Sequence, residues 1–271
     1  MTDAAKQPRP EDQPPAPENE VKASFWDHLT ELRSRLVRAL IAVAVGTALV
    51  GTYSEKLYRL LMLPVLQALP ADQRALHYTS SLEPFFVYFK VAMYGGIFVA
   101  APVVLHQVWQ FIAPGLYKKE KKIVVPFLFF GTLLFYGGAA FCYFLVMPYA
   151  FPALFAIAGA DMRPILTMSE QLSLVLAMLL GFGIVFELPV IIAFLAMIGV
   201  VSASFLAKYR RHAVVVNVIL AAVITPTGDP FNLALMAVPM IVFYEIGILL
   251  ARILGKKPAP EAALAKKAAK A

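Results

Sequence analysis

Two long apolar runs and the short charged turn between them constrain this chain more than any other feature. Val91 to Pro114 carries no Asp, Glu, Lys or Arg, and neither does Ile123 to Ala160. Between them lies FIAPGLYKKEKK, residues 111–122, where Glu120 sits among Lys118, Lys119, Lys121 and Lys122. About 20 apolar residues cross the hydrocarbon core of a bilayer, so each run reads as a membrane span. The lysine-rich turn then lies at a membrane surface, and lysine excess predicts the cytoplasmic one. There Glu120 is a candidate docking point for something cationic. Composition agrees: 60% of the 271 residues are hydrophobic and 15% charged. Soluble domains carry about 25% charged residues. Unbroken runs of this length are helices, since a closed barrel would show short alternating segments.

The expected fold is all-α: a polytopic, concave bundle of six transmembrane helices. The spans are expected near Leu36–Tyr53, Phe85–Ile112, Ile123–Met147, Glu170–Gly199, Ala213–Thr225 and Phe231–Leu254. Before them, residues 1–23 form a polar, Pro-rich tail without an apolar signal core, read as disordered. After the 24–254 membrane domain, residues 255–271 form an Ala/Lys-rich tail. Ser24 and Asp27 have the spacing of a capping box, predicting a helix start at Ser24. That helix is amphipathic and runs along the interface into span one. Ser54–Pro84 is mixed, and its YRLLMLPVLQAL portion suits a short surface helix. Pro148 and Pro152 are expected to end span three. Span five has about 16 uncharged residues. At about 1.5 Å per residue it reaches roughly 24 Å, short of a core of about 30 Å, which predicts local thinning of the bilayer.

Six spans put both termini on one side. That side holds Arg33, Arg35, Arg38, the four lysines of the turn, Lys208, Arg210, Arg211, Arg252, Lys256 and Lys257. The opposite loops hold Lys56, Arg59, Arg74, Lys90 and Arg163. The asymmetry predicts cytoplasmic termini. The net charge of +7 therefore reads as topology signal and contact with anionic membrane lipids, not as nucleic-acid affinity.

No P-loop, HExxH, GxSxG or Cys/His metal spacing is present. The expectation is a protein that is not an enzyme and uses no cofactor or metal. The one cysteine, Cys142, permits no internal disulfide and reads as a packed side chain. The carboxylates carry the information. Glu187 stands mid-span, where a charge costs at least about 2.5–3.5 kcal/mol, and so marks a pathway or a polar partner. A neutral Glu187 hydrogen-bonded for packing is the alternative. Glu245 is placed to reach Arg252 or water. Asp229 either caps span six or acts in its loop. Glu31 has Arg35 as an i,i+4 partner, which is a purely structural alternative for it. Phe111, Trp109, Leu116 and Tyr117 beside Glu120 make an aromatic and acidic surface suited to an arginine-bearing peptide. A guanidinium binds carboxylate bidentately and stacks on rings, which lysine cannot reproduce.

Four stretches, FWDHLTELRSRL (25–36), PVVLHQVWQFIAPGLYKKEKK (102–122), GFGIVFELPV (181–190) and ITPTGDPF (224–231), occur in that order. Together they resemble the TatC family, the multispanning subunit of the twin-arginine protein translocase. The resemblance implies a receptor and scaffold for folded cargo bearing an Arg-Arg signal peptide, working with single-span TatA and TatB partners on the proton motive force. It implies several copies in a complex and the bacterial cytoplasmic (inner) membrane. It assigns Glu31 and Glu120 to the twin arginines, with Arg33 and Phe111 on the same surface. It also assigns Glu187 to a concave intramembrane surface, Asp229 to the last outer loop and Thr225 to partner-helix contact. Where many members carry Gln near the start of span six, this chain has Leu233. The competing expectation is a proton-coupled transporter using Glu187; that class commonly shows internal repeats, and none is visible here. An intramembrane protease would need a nucleophile and base set that the sequence does not display.

Overall fold

The computed structural model describes residues 18–112, 121–156, 165–224 and 230–255. The helices are α1 (Glu18–Gly51), α2 (Ser54–Gln67), α3 (Glu83–Ile112), α4 (Lys121–Phe141), α5 (Met147–Ala156), α6 (Met168–Phe186), α7 (Leu188–Met197), α8 (Ala203–Lys208), α9 (Arg210–Ile224) and α10 (Pro230–Leu254). Five stretches are long and apolar enough to cross a membrane: Leu29–Gly51, Glu83–Phe111, Val125–Ala156, Met168–Met197 and Leu233–Leu254. With the shorter α9 they make six spans. Large apolar side chains line the outside, among them Leu36, Leu40, Ile41, Phe129, Phe144, Val215 and Ile253. In water such a surface would drive aggregation; in lipid it is the solvated face.

α6 and α7 form the central element, and most of that stretch is buried. Around it α1 lies on α3, α4 on α6, and α10 on α7 and α9. The main core gathers Val87 and Val91 of α3, Met147 and Phe151 of α5, and Leu172, Val175 and Phe182 of α6. Close approach is made by glycines. A Cβ at Gly46 of α1 would sit 2.7 Å from the Gly96 carbonyl oxygen of α3. At Gly138 of α4 it would fall 2.8 Å from the Phe186 ring of α6. Small residues of this kind let backbones meet where lipid supplies no hydrophobic drive.

Several local expectations change. The helix does not start at Ser24: α1 begins at Glu18, so Glu18 to Ala23, expected in the tail, are helical, and α1 is one helix as far as Gly51. Pro148 and Pro152 do not end span three. A π-helical turn, Cys142–Val146, precedes Pro148, and the helix continues to Ala156. The wider turn opens the backbone where the proline ring would meet the carbonyl four residues back. Span four breaks at Glu187, and Pro189 in the first turn of α7 explains the break. Gly199, at φ +85°, closes α7, with the Val200 amide donating to the Leu195 carbonyl at 2.9 Å.

α2 is the expected surface helix, and buries Tyr58, Leu61, Met62 and Val65 on the main core. Beside it the two loops at this end of the bundle are stitched together. The His77 amide donates to the Leu166 carbonyl, and the Met168 amide to the His77 carbonyl, both at 2.8 Å. Glu83 reinforces the seam. Its Oε1 accepts from the Ser169 amide at the start of α6 (3.0 Å), and its Oε2 from the Thr79 amide (2.7 Å) and hydroxyl (2.9 Å). A carboxylate at a helix N-terminus satisfies an otherwise unpaired amide and meets the positive end of the helix dipole. Glu83→Ala is expected to lower the melting temperature by a few degrees and speed proteolysis between residues 76 and 83. Unchanged melting and cleavage would show that the seam holds without the carboxylate.

Candidate functional site

The arginine-rich stretch of α1 and the last turn of α3 lie side by side at one end of the bundle. Arg35 fixes them: its Nη1 donates to Oε1 of Gln110 at 2.7 Å. Gln110 in turn shares its amide nitrogen with Nε2 of His106 at 2.9 Å. On the α1 side, Nε of Arg35 donates to Oε1 of Glu31 at 3.0 Å, and Nη2 contacts the same oxygen. This places the half-buried Glu31 carboxylate across from the turn that carries the half-buried Phe111. Arg33 is exposed on the same stretch of α1. Glu120, Thr225 and Asp229 lie outside the described residues, as do Leu116 and Tyr117. Trp109 does not join an aromatic surface. It is 2% exposed and packs against Phe127 and Phe194, with ring centroids 5.9 and 4.9 Å away. Helical spacing explains this, since two residues beyond Trp109 the helix has turned Phe111 toward another side.

Glu187 occupies a second place. It is the residue between α6 and α7, 5% exposed, and neither carboxylate oxygen has a hydrogen-bond partner among the described residues. It faces α4 at Gly131, where a Cβ would lie 3.0 Å from Glu187 Oε2 and 3.5 Å from Nε1 of Trp109. The Trp109 indole nitrogen is also without a partner among the described residues. A donor and an acceptor therefore stand buried around the same point over Gly131, which is unusual where buried polar groups are normally paired.

The remaining polar residues serve packing. Glu245 pairs with Arg210 of α9 at 2.9 Å, not with Arg252. Antiparallel neighbours put the start of α9 beside the end of α10. Asn217, which its apolar surroundings hide in the sequence, is buried and donates to the Met240 carbonyl at 3.4 Å, tying α9 to α10. α9 has 15 residues, about 22 Å at about 1.5 Å each, so the expected short span is present. Among the described residues no cluster of His, Cys, Asp and Glu could hold a metal ion.

Comparison with known proteins decides the family. A family model described as the Sec-independent protein translocase protein TatC matches residues 27–239. The chain belongs to the TatC family. The TatC protein of Koribacter versatilis is 42% identical over 227 residues, covering 83% of each chain. That of Escherichia coli is 38% identical, over 83% of this chain and 86% of its own length. Aquifex aeolicus TatC is 34% identical, over 85% and 95%. A crystal structure of the twin-arginine translocase receptor TatC superposes with a TM-score of 0.75 at 34% identity, over 84% of this chain and 99% of that one. The all-α six-span fold is thus that of TatC, and the chain is a multi-pass membrane protein of a family not known for enzymes.

Proposed function

We propose that this TatC-family chain is the receptor and core subunit of a twin-arginine protein translocase. Its basic end binds the Arg-Arg signal peptide of folded cargo, and the bundle recruits single-span TatA- and TatB-type partners for export driven by the proton motive force. Several copies work in one complex, in the cytoplasmic (inner) membrane of a bacterium. Both termini face the cytoplasm, as the arginines and lysines of the basic end favour. The observation that carries this reading is Glu31, held across from the Phe111 turn at the end of the bundle where the basic residues gather. Glu120 stands nine residues beyond Phe111 in the sequence, and with Glu31 it would offer two guanidinium groups a carboxylate each, with Phe111 and Arg33 beside them. Thr225 and Asp229, after α9, are assigned to partner contact and to the last outer loop. Glu187 acts in the membrane, on the concave surface.

Hydrogen bonds to charged groups are worth about 1.5–3 kcal/mol when partly desolvated. A labelled twin-arginine peptide is therefore expected to bind the purified protein in detergent about tenfold or more tightly than its Lys-Lys counterpart. Glu31→Ala and Glu120→Ala are each expected to weaken it by a similar factor. Equal affinity for the two peptides would overturn the bidentate recognition, and full affinity in both variants would overturn the site.

A further inference from the structure

Glu31 already holds an arginine. Two nitrogens of Arg35 converge on one Glu31 oxygen, and the third is clamped by Gln110 from another helix. The chain supplies its own comparison in Glu55 and Arg59, a pair at the same i,i+4 spacing. There a single contact of 2.7 Å joins side chains that are 61% and 76% exposed. The Glu31 and Arg35 side chains are 34% and 16% exposed. Spacing alone thus produces a loose surface pair, and the interhelical clamp is what makes the Glu31–Arg35 pair a seated one. Arg35 presents to Glu31 the same planar fork that a signal-peptide arginine would present.

We propose that Arg35 is an internal competitor for Glu31, positioned by Gln110, and that it sets the affinity threshold a cationic peptide must exceed. This rests on the reading that Glu31 receives a signal-peptide arginine. When a site is open only part of the time, the apparent dissociation constant rises by the reciprocal of the open fraction. Every peptide meets that same factor. Arg-Arg peptides bind strongly enough to displace Arg35. Lys-Lys peptides, lacking the fork, fall below a useful affinity. Arg35 leaves the ratio between the two unchanged and moves both.

The test is peptide binding to the full-length protein in detergent, with labelled twin-arginine and Lys-Lys peptides. Arg35→Ala is expected to tighten both by the same factor, about tenfold, the change produced by about 1.4 kcal/mol. Gln110→Leu tightens both by a smaller factor, because the fork stays but its clamp is gone. Arg59→Ala changes neither. In a Glu31→Gln background, Arg35→Ala gives no further gain, which a merely structural arginine would not predict. Arg35→Lys, which keeps the charge and loses the fork, reads the same gain if the alanine variant does not fold. Unchanged or weaker twin-arginine binding in Arg35→Ala and Gln110→Leu, with the wild type still selective and still dependent on Glu31, would overturn the competitor and leave the receptor reading standing. A wild type blind to Arg-Arg and indifferent to Glu31→Gln would overturn both.

Discussion

Replacing Glu187 with alanine is expected to stop transport, to leave twin-arginine peptide binding as it is, and to melt no lower than the wild type. The three outcomes follow from one geometry. Glu187 is buried at the break between α6 and α7, and neither oxygen has a partner among the described residues. Removing a carboxylate with no hydrogen-bond partner among the described residues takes away a desolvation penalty that offsets the packing lost with the side chain, so stability holds. The proposed recognition residues Glu31 and Phe111 belong to α1 and the last turn of α3, while Glu187 faces Gly131 within the bundle. Peptide binding at the basic end therefore does not depend on it. A group kept at a cost in stability, inside a membrane, is kept for use. Melting in detergent, peptide affinity and export of a folded reporter check the three parts. Full export by Glu187→Ala would reject the functional role, and a marked fall in melting temperature would return the residue to packing.

The glutamine variant separates two forms of that role. Glu187→Gln keeps the shape and a hydrogen-bonding end beside the Trp109 indole nitrogen, which has no partner among the described residues. If a partner helix only needs a polar contact there, Glu187→Gln exports cargo. If the site needs a carboxylate, it fails like the alanine variant.

What the sequence reveals here follows from how far each signal reaches along the chain. The spans are legible because lipid demands long uncharged runs, and the asymmetry of arginine and lysine orders them. The Glu187 break is half legible: Pro189 announces it, but nothing local places Gly131 opposite the carboxylate. The continuation through Pro148 and Pro152 is illegible, because the π turn that accommodates the first proline has no residue signature. Trp109 and Phe111 read alike as interfacial aromatics, yet two residues of helical turn separate a core position from a candidate surface. The seam at Glu83 has no local signal, because its Ser169 partner is 86 positions away. Arg35 was visible as an i,i+4 partner, and the clamp that gives the pair its meaning comes from Gln110, 75 positions on. Contacts of that range belong to the fold, while periodicity and charge belong to the segment.

Gly96→Ala is expected to disturb the packing of α1 on α3 more than a methyl group added at any other glycine of that contact. A Cβ there would collide with the Thr47 side chain and lie 2.8 Å from the Thr47 Cα, so the obstacle is backbone and cannot rotate aside. A Cβ on Gly46 of the other helix would in turn lie 2.7 Å from the Gly96 carbonyl oxygen, so the seam is tight from both sides. Overpacking of a tight contact costs typically about 1–3 kcal/mol, and more where backbones must separate. α1 has little else to hold it: Gly46 is the one buried residue of its Leu29–Gly51 stretch, and α3 is its main neighbour. Pushing α1 off α3 also shifts the Arg35–Gln110 clamp, and with it Glu31 relative to Phe111. Gly96→Ala should therefore lower the melting temperature and weaken twin-arginine peptide binding together, although Gly96 touches no residue of the recognition surface. Ala48→Leu, in the same stretch of α1, adds more volume at an exposed position and should change neither. A Gly96→Ala protein that melts and binds like the wild type would show that α1 is placed by the lipid and the loop ends, and not by the glycine seam.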